Sequence, residues 1–329
     1  MAIDITLLFV LGLILASEFV NGWTDAPNAI ATVVATKALK PRQAVLVAVI
    51  GNIIGAFYGR AVAKTIGTEI VKPEAINLIT LGAAMVGIIV WATAASLGGI
   101  PTSESHALLA GLTGAGLATA GPTALVLAGW KKVFLGLAIS VLCGAVGGFG
   151  LAWVIRYFSR DIPKAKADRV FNALQVIAAG GMAFSHGSND GQKFIGIFTL
   201  TLVLSGYLPT FQVQPWVVIL CSVVMGAGTS IGGWRIIEKI GTKMVKLEPD
   251  QGLAAQIGAA ASILFATSLG VPLSTTHTIN TAMMGAGATR GVAAVNWGVV
   301  KELVLAWFFT FPVCGLIGYL TAWFLIRLG

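Results

Sequence analysis

Long apolar stretches run along almost the whole chain, separated by short polar or basic segments. They cover about 5–20, 43–63, 75–98, 105–128, 133–157, 171–185, 194–208, 216–234, 252–271, 277–289 and 302–327. A helix that crosses a bilayer needs about 20 mostly apolar residues, and several of these stretches reach that length. The pattern therefore predicts an all-α polytopic membrane protein.

Two apolar regions, 5–36 and 171–208, are too long for one simple span. A polar patch that contains Gly or Pro interrupts each region, at 21–29 and at 185–193. Pro27 in the first patch lacks an amide hydrogen and clashes with the preceding helical turn, and two glycines loosen the second patch. We therefore expect a broken helix in each region.

An eight-residue motif occurs twice within otherwise apolar surroundings. Gly-Ile-Pro-Thr-Ser-Glu-Ser-His at 99–106 returns as Gly-Val-Pro-Leu-Ser-Thr-Thr-His at 270–277. A helix-breaking proline, several hydroxyls and a histidine have no packing reason to lie there. We interpret the two copies as the tips of helical hairpins that form a binding site by internal duplication.

The duplication divides the chain into two repeats. The first is predicted over 1–158, with its hairpin at about 75–128, and the second over 170–329, with its hairpin at about 252–295. A basic cytoplasmic linker at 159–169 joins them.

Positive charge predicts the topology. The most basic loops are 37–42, 156–169 and 235–246, and such loops favour the cytoplasmic side of a membrane. All three lie on one side only if each hairpin is re-entrant and does not cross. Each repeat then crosses three times, an odd number, so we expect the two repeats to have inverted topology.

Composition agrees with a membrane location. Of 329 residues, 57% are hydrophobic and 10% are charged, against roughly 25% charged in soluble domains. The net charge of +8 comes from the loops, and no basic patch with interleaved aromatics suggests a nucleic-acid partner. We expect a multi-pass protein of the cell membrane, with the lipid bilayer as its partner.

The three scattered cysteines suggest neither disulfides nor a metal cluster.

The polar patches carry candidate cation ligands. Asp25 and Asp190 are intramembrane carboxylates that occupy equivalent positions in the repeats, and such residues are functional by default because an unpaired charge there is costly. Capping of a restarting helix is the alternative for Asp25.

The neighbours of the two carboxylates carry further candidates. Lys193, three residues after Asp190, could neutralise the Asp190 carboxylate on one helix face. The pairing of the repeats also aligns Thr24 with Asn189 and Asn28 with Lys193, and His186 could act in packing or as a proton relay.

The hairpin tips carry candidate oxyanion ligands. Their hydroxyls lie where a helix begins, and the amides of a helix N-terminus favour negative charge. The candidates are Ser103, Ser105, Ser274, Thr275 and Thr276. N-capping by Ser103 or Ser274 is the alternative role. We expect His106 and His277 to brace the hairpins, and Glu104, which stands where the second copy has Thr275, to be a cation ligand.

At these residues the chain resembles the inorganic phosphate transporter (PiT) family, which has a Gly-x-Asn-Asp-type signature in each half. Residues 22–29 are similar to its first copy and 186–193 to its second, and the Pro-x-Ser-x-x-His tips also match. The resemblance covers essentially the whole chain. It implies a homodimeric symporter that carries phosphate with Na⁺ or H⁺ by alternating access, without another cofactor.

The resemblance also implies roles for residues. It makes Asp25, Asn28 and Asp190 cation-side ligands, for Na⁺ if sodium is the coupling ion, with Thr24 and Asn189 beside them. The tip hydroxyls become phosphate ligands. Thr24 stands where the family has Asn, and Lys193 stands where a symmetric copy would have Asn. A fixed ammonium at Lys193 could replace one coupling cation or contact phosphate directly.

Charge arithmetic favours cotransport independently of the resemblance. Two carboxylates and a phosphate a few ångströms apart repel by several kcal/mol even at an effective dielectric constant of about 20. Bound cations or protons must offset this charge, so the affinities for anion and cation depend on each other.

Three other functions compete with phosphate symport. Sulfate is the alternative substrate, but it is fully deprotonated and brings no proton that Asp25 or Asp190 could accept. An intramembrane hydrolase would need one nucleophile with a matched base rather than two equivalent Ser/His sets, so we expect no enzyme. An anion channel is disfavoured by the broken helices and closed tips.

Overall fold

The computed structural model describes residues 5–328 and consists mainly of helices. In chain order these are α1 (Ile5–Ala35), α2 (Pro41–Ala56), α3 (Ala61–Thr68), α4 (Leu78–Leu97), α5 (Glu104–Ala120), α6 (Leu127–Ser159), α7 (Lys164–His186), α8 (Gln192–Leu204), α9 (Pro215–Thr229), α10 (Trp234–Glu238), α11 (Pro249–Ser268), α12 (Thr275–Ala288) and α13 (Trp297–Leu328). A π-helical turn, Gly187–Gly191, joins α7 to α8, and a second, Lys239–Met244, follows α10.

Both halves of the chain run through the same order of elements. Helices α1 to α6 form one series, and α7 to α13 form the other, with α7 and α8 together in the place of α1. The left-handed glycines recur as well, Gly99 and Gly270 at the hairpin tips with φ of 66° and 67°. Even the isolated β-bridge between Val71 and Leu125 has a counterpart between Val245 and Val295. The structure thus carries the duplication seen in the motifs.

The two halves interlock through their hairpins. The second hairpin, α11 and α12, packs against α6 of the first half, and the first hairpin, α4 and α5, packs against α13 of the second. Helix α1 likewise packs against α9, and α7 against α2. Glycine permits this close approach: a Cβ atom at Gly148 of α6 would lie 2.1 Å from the Ala282 carbonyl oxygen of α12. Each hairpin is therefore held by the opposite half.

The first predicted break is absent. Helix α1 continues through Pro27 as one helix. A proline in a membrane helix is tolerated where neighbouring segments accommodate the freed backbone carbonyl. Here a Cβ at Gly233 would lie 2.9 Å from Pro27 Cγ and 3.2 Å from the Trp23 carbonyl oxygen, so a glycine of the second half lies against the proline. The expected break in 171–208 appears only as the π-helical turn.

The bends lie elsewhere, in the apolar segments 43–63 and 216–234, where the sequence pattern shows no interruption. Helices α2 and α3 meet at 73°, and α9 meets the segment Trp234–Met244 at 63°. Gly59 and Gly232, with φ of 78° and 76°, lie at the two breaks, and a residue without a Cβ adopts this left-handed backbone without strain. The bends bring each short helix to a tip: Thr65 of α3 donates to the Gly270 carbonyl at 2.9 Å, and Arg235 of α10 donates to the Leu97 carbonyl.

The linker is shorter than expected. Helix α6 ends at Ser159 and α7 begins at Lys164. The basic residues Lys164, Lys166 and Arg169 therefore lie in the first turns of α7 and not in a loop. Lys164 pairs with Glu248 at 3.1 Å, and the carboxylate raises the pKa of that lysine.

Surface contacts gather the basic loops at one end of the helix bundle. Glu248 also pairs with Arg290 at 3.1 Å, and Thr36, beside the 37–42 loop, donates to Gln175 of α7 at 2.9 Å. A Cβ at Gly241 in the third basic loop would lie 3.2 Å from Ala35 Cβ at the end of α1, just before the 37–42 loop. The three basic loops therefore lie at the same end of the bundle.

Several helices are long enough to cross a bilayer. Four helices in the described part of the chain, α1, α4, α6 and α13, pass by length and composition, and the two bent segments raise the number to six.

The glycine contacts between halves generate a stability prediction. We expect Gly148→Ala to destabilise the protein by about 1–3 kcal/mol, because its methyl group would overlap the Ala282 carbonyl. Gly150→Ala in the same helix is the matched control, since nothing lies within 4 Å of a Cβ there. Apparent melting temperatures of the detergent-solubilised variants measure the difference. Equal melting of both variants would contradict the interlocked packing.

Candidate substrate and ion site

Four elements converge on a buried polar cluster at the centre of the helix bundle. They are the middle of α1, the π-helical turn between α7 and α8, and the N-terminal ends of α5 and α12 at the two hairpin tips. Asp25, Asp190, Glu104 and Lys193 are each at most 2% exposed. The structure thus brings together candidate residues that lie far apart in the sequence.

The first-half ligands meet the second hairpin tip. Thr276 Oγ1 donates to Asp25 Oδ1 at 3.1 Å and accepts from Asn28 Nδ2 at 3.0 Å. Thr24 Oγ1 donates to Glu104 Oε1 at 2.9 Å, which ties α1 to the first tip. A single hydroxyl therefore joins Asp25 and Asn28, as expected if they belong to one site.

The second-half ligands meet both tips. Thr275 Oγ1 donates to Asp190 Oδ2 at 2.9 Å. The Lys193 ammonium donates to Asp190 Oδ1, to Ser105 Oγ and, at 2.8 Å, to the Leu273 carbonyl. The predicted pairing of Lys193 with Asp190 is therefore present, but the lysine also holds both tips.

The π-helical turn places these side chains. A Cβ at Gly187 would lie 2.2 Å from the Asn52 carbonyl oxygen of α2, so the turn packs directly on the neighbouring backbone. Turns of this kind are frequent at functional sites because the extra residue re-aims the side chains around it. Here it directs His186 and Asp190 to the centre.

His186 lies between the two aspartates. Its Nε2 is 3.2 Å from Asp190 Oδ2 and 3.5 Å from Asp25 Oδ2. Its Nδ1 is 3.0 Å from Asn52 Oδ1, and the Asn52 amide nitrogen donates to Thr229 at 3.0 Å. Since the Asn52 oxygen can only accept, Nδ1 carries a hydrogen. Three acceptor atoms that face each other can share a proton or a cation, so His186 lies among the candidate ligands and its role as a proton relay stays a prediction.

The three groups Asp25, His186 and Asp190 can also hold a metal ion. One ligand atom from each lies within 4.8 Å of the others. Asp25 Oδ2 and His186 Nε2 have no well-directed hydrogen-bond partner in the described part of the chain. The buried carboxylate oxygen fits a hard cation such as Na⁺, whereas the imidazole nitrogen fits a proton or a transition metal.

The two tips touch each other. Ser103 and Ser274 accept from the amides of His106 and His277, at 3.3 and 3.2 Å, and so cap α5 and α12. Ser274 Oγ also donates to Ser103 Oγ at 2.8 Å. The capping alternative for both serines is confirmed, and oxyanion binding by the tip hydroxyls remains a prediction. The remaining hydroxyls are engaged within the protein too, since Ser105 donates to the Leu273 carbonyl at 2.9 Å.

The two tip histidines pack as expected for braces. His277 Nδ1 is 2.5 Å from Ser274 Oγ, and its ring centre is 3.7 Å from that of Trp307 in α13. The His106 ring lies 4.6 Å from both His277 and Phe311.

Sequence reasoning missed two buried polar residues on α1. Glu18 and Asn21 are 0% exposed, and the Asn21 amide donates to the Glu18 carboxyl at 3.2 Å. Glu18 precedes Asp25 by two helical turns on the same face. An ionisable residue in the apolar 5–20 stretch was the available signal.

Buried oxygen atoms without partners complete the site. Within residues 5–328, no hydrogen-bond donor reaches Glu18 Oε1, Asn21 Oδ1, Asp25 Oδ2, Glu104 Oε2 or Asn189 Oδ1. Asn189 donates to Thr267 at 2.8 Å and so lies at the second hairpin. An unpartnered buried oxygen is costly, so this arrangement suits a site that binds protons or cations.

Comparison with known proteins decides the family. A sequence profile described as the phosphate transporter family matches residues 21–318. The chain belongs to the phosphate transporter family. The protein is accordingly a multi-pass membrane transporter of phosphate and not an enzyme.

Curated relatives cover nearly the whole chain. A Rhizobium meliloti protein is 42% identical over 96% of this chain and 97% of its own length. A Bacillus subtilis protein is 38% identical over 95% of both chains. Each is named "Probable low-affinity inorganic phosphate transporter". A solved structure, named "The sodium-dependent phosphate transporter", superimposes with a TM-score of 0.90 at 22% identity, over 99% of this chain and 100% of that one. That likeness shows a shared fold.

The contact between tips generates a second stability prediction. Ser274→Ala removes both the cap of α12 and the bond to Ser103, so we expect a loss of about 1 kcal/mol or more. Ser262→Ala is the control, because the Ser262 hydroxyl donates only to the carbonyl four residues before it in α11. Thermal unfolding in detergent compares the two. A larger effect at Ser262 would show that the tip contact is not stabilising.

Proposed function

We propose that the protein is a secondary transporter that carries phosphate together with Na⁺ or H⁺ by alternating access. The buried charge balance is the observation that supports this most directly. Glu18, Asp25, Glu104 and Asp190 are all buried, with Lys193 as the fixed cation among the described residues of the cluster. A phosphate entering this region adds one to two negative charges, which mobile cations or protons must offset.

The site divides into two sets of ligands. The cation set comprises Thr24, Asp25, Asn28, Glu104, Asn189 and Asp190, and the anion set comprises the tip hydroxyls with the N-terminal amides of α5 and α12. Helix N-termini favour anions through their free amides and partial positive charge. The structural relative is named as a sodium-dependent protein, so sodium is the first cation to test.

Burial supports alternating access. The site residues are closed off from solvent, and the tips contact each other through Ser103 and Ser274. Substrate can reach the site only if a hairpin moves relative to the opposite half. If the repeats are inverted, the two hairpins enter from opposite faces, and moving one or the other opens one side at a time.

Phosphate is preferred over sulfate. At neutral pH phosphate still carries protons, and the unpartnered oxygens of Asp25 and Glu104 can accept them. Sulfate would add two charges and no donor. A homodimer, which the resemblance to the family implies, stays a prediction.

Uptake of radiolabelled phosphate into proteoliposomes tests the proposal. We expect uptake to respond to an imposed Na⁺ or H⁺ gradient, and Asp25→Asn to lower coupled uptake on the order of tenfold or more, because it removes the buried charge that binds the cation. Asp161→Asn in the exposed linker is the matched control. Uptake that is independent of both gradients would contradict symport. Uptake by Asp25→Asn at the wild-type rate would show that this carboxylate is structural.

Labelling of equivalent surface positions tests the inverted topology. Lys72 and Lys246 are exposed and follow the two β-bridge residues Val71 and Val245. We expect a membrane-impermeant maleimide to label Lys72→Cys and Lys246→Cys from opposite sides, in a Cys143→Ala background. Asp161→Cys should label from the same side as Lys246→Cys. Labelling of Lys72→Cys and Lys246→Cys from one side would exclude inversion.

A further inference from the structure

Lys193 is held by three oxygen atoms that all accept from its ammonium group. Asp190 Oδ1 is a carboxylate oxygen, and the Leu273 oxygen is a backbone carbonyl 2.8 Å away. Ser105 uses its hydrogen to donate to that same carbonyl, so its oxygen accepts from Lys193. Three acceptors require three N–H groups, and only the ammonium form of lysine has them. The buried side chain, 1% exposed, is therefore a fixed positive charge.

The position of this charge is set by the duplication. Lys193 stands where the first half has Asn28, and Ser105 stands where the second tip has Thr276. Asn28 contacts Thr276 beside Asp25, just as Lys193 contacts Ser105 beside Asp190. One carboxylate, one hydroxyl and one backbone carbonyl also form a ligand set that suits a hard monovalent cation. The ammonium thus occupies the second of two equivalent cation positions.

The charges of the two halves differ accordingly. Asp190 is matched by Lys193. Asp25 lies near Glu104, which accepts a hydrogen bond from Thr24. The carboxyl groups of Asp25 and Glu104 each keep one oxygen without a hydrogen-bond donor in the described part of the chain. The unbalanced negative charge is therefore concentrated on the first-half side.

We propose that Lys193 is a built-in cation that permanently fills one of two equivalent cation positions, so that the mobile coupling cation binds only on the Asp25 side. The inference rests on the proposed function. It gives the protein one mobile cation fewer per phosphate than a carrier with Asn at both positions. Direct binding of phosphate by Lys193 is disfavoured, because all three of its donors are used inside the protein.

The test is the limiting phosphate accumulation in proteoliposomes at zero membrane potential. Lys193→Asn recreates the Asp–Asn pair of the first half and should bind one more mobile cation. With a tenfold gradient of the coupling cation, the steady-state phosphate ratio should rise by about another tenfold over wild type. Lys132→Asn, which breaks the Lys132–Glu69 pair outside the site, should keep the wild-type ratio. An unchanged ratio in Lys193→Asn, or no accumulation at any cation concentration, would overturn the proposal.

A reciprocal variant covers the possibility that Lys193→Asn does not fold. Asn28→Lys places an ammonium at the first position, so phosphate should equilibrate without following the cation gradient. If Asn28→Lys follows the gradient as wild type does, the two positions are not equivalent cation sites and the proposal is wrong.

A readout without phosphate separates this inference from the proposed function. In detergent, raising the concentration of Na⁺ at constant ionic strength, or of protons, should stabilise Lys193→Asn against thermal unfolding more steeply than wild type or Lys132→Asn. If the wild type takes up no phosphate, phosphate symport is refuted. If Lys193→Asn is nevertheless stabilised more steeply, the proposed role of Lys193 is still supported. Equal slopes would refute the role of Lys193 whatever the anion is.

Discussion

The structure depends on keeping several carboxyl groups together inside a membrane protein, away from water. Asp25, Glu104 and Asp190 are closed off at its centre, where an uncompensated charge is costly. Lys193 compensates one of them directly, and His186 lies between Asp25 and Asp190 with its other nitrogen fixed by Asn52. In the proposed mechanism, bound cations or protons offset the remaining charge. The unfavourable electrostatics of these buried carboxyl groups are then the source of the affinity for cations.

The interlocked packing connects this charge to the two hairpins. Each hairpin is packed against the last helix of the opposite half. The second tip contacts Asp25 of α1 and Asp190 of the π-helical turn, and the first tip contacts Lys193 of α8 through Ser105. A change of charge at Asp25 acts on the second tip through Thr276, and a change at Asp190 acts on it through Thr275. Under the proposed alternating access, ion binding biases the position of a hairpin through direct hydrogen bonds, without a long pathway between separate sites.

The sequence predicted the all-helical membrane architecture, the two hairpins and the residues that meet at the centre, because apolar length and a duplicated polar motif are local signals. The positions of the breaks were predicted less well. Pro27 indicated a broken α1, but Gly233 from the other half accommodates it. The bends near Gly59 and Gly232 were missed because the apolar pattern runs through them. Which tip each aspartate meets depends on packing between the halves, and neither half encodes that alone.

Hydroxyl groups suit this site because they can serve either sign of charge. Thr276 donates to Asp25 and accepts from Asn28. In the proposed mechanism, a cation on the Asp25 side binds the carboxylate oxygen and frees the Thr276 hydrogen for an anion. At the equivalent Ser105, the hydroxyl donates to the Leu273 carbonyl and its oxygen accepts from Lys193. Because the ammonium is part of the chain, it cannot leave and free this hydroxyl for another ligand. The duplication thus supplies two similar geometries. In the proposed mechanism, the difference between Asn28 and Lys193 leaves the first position open to a mobile cation and keeps the second permanently filled.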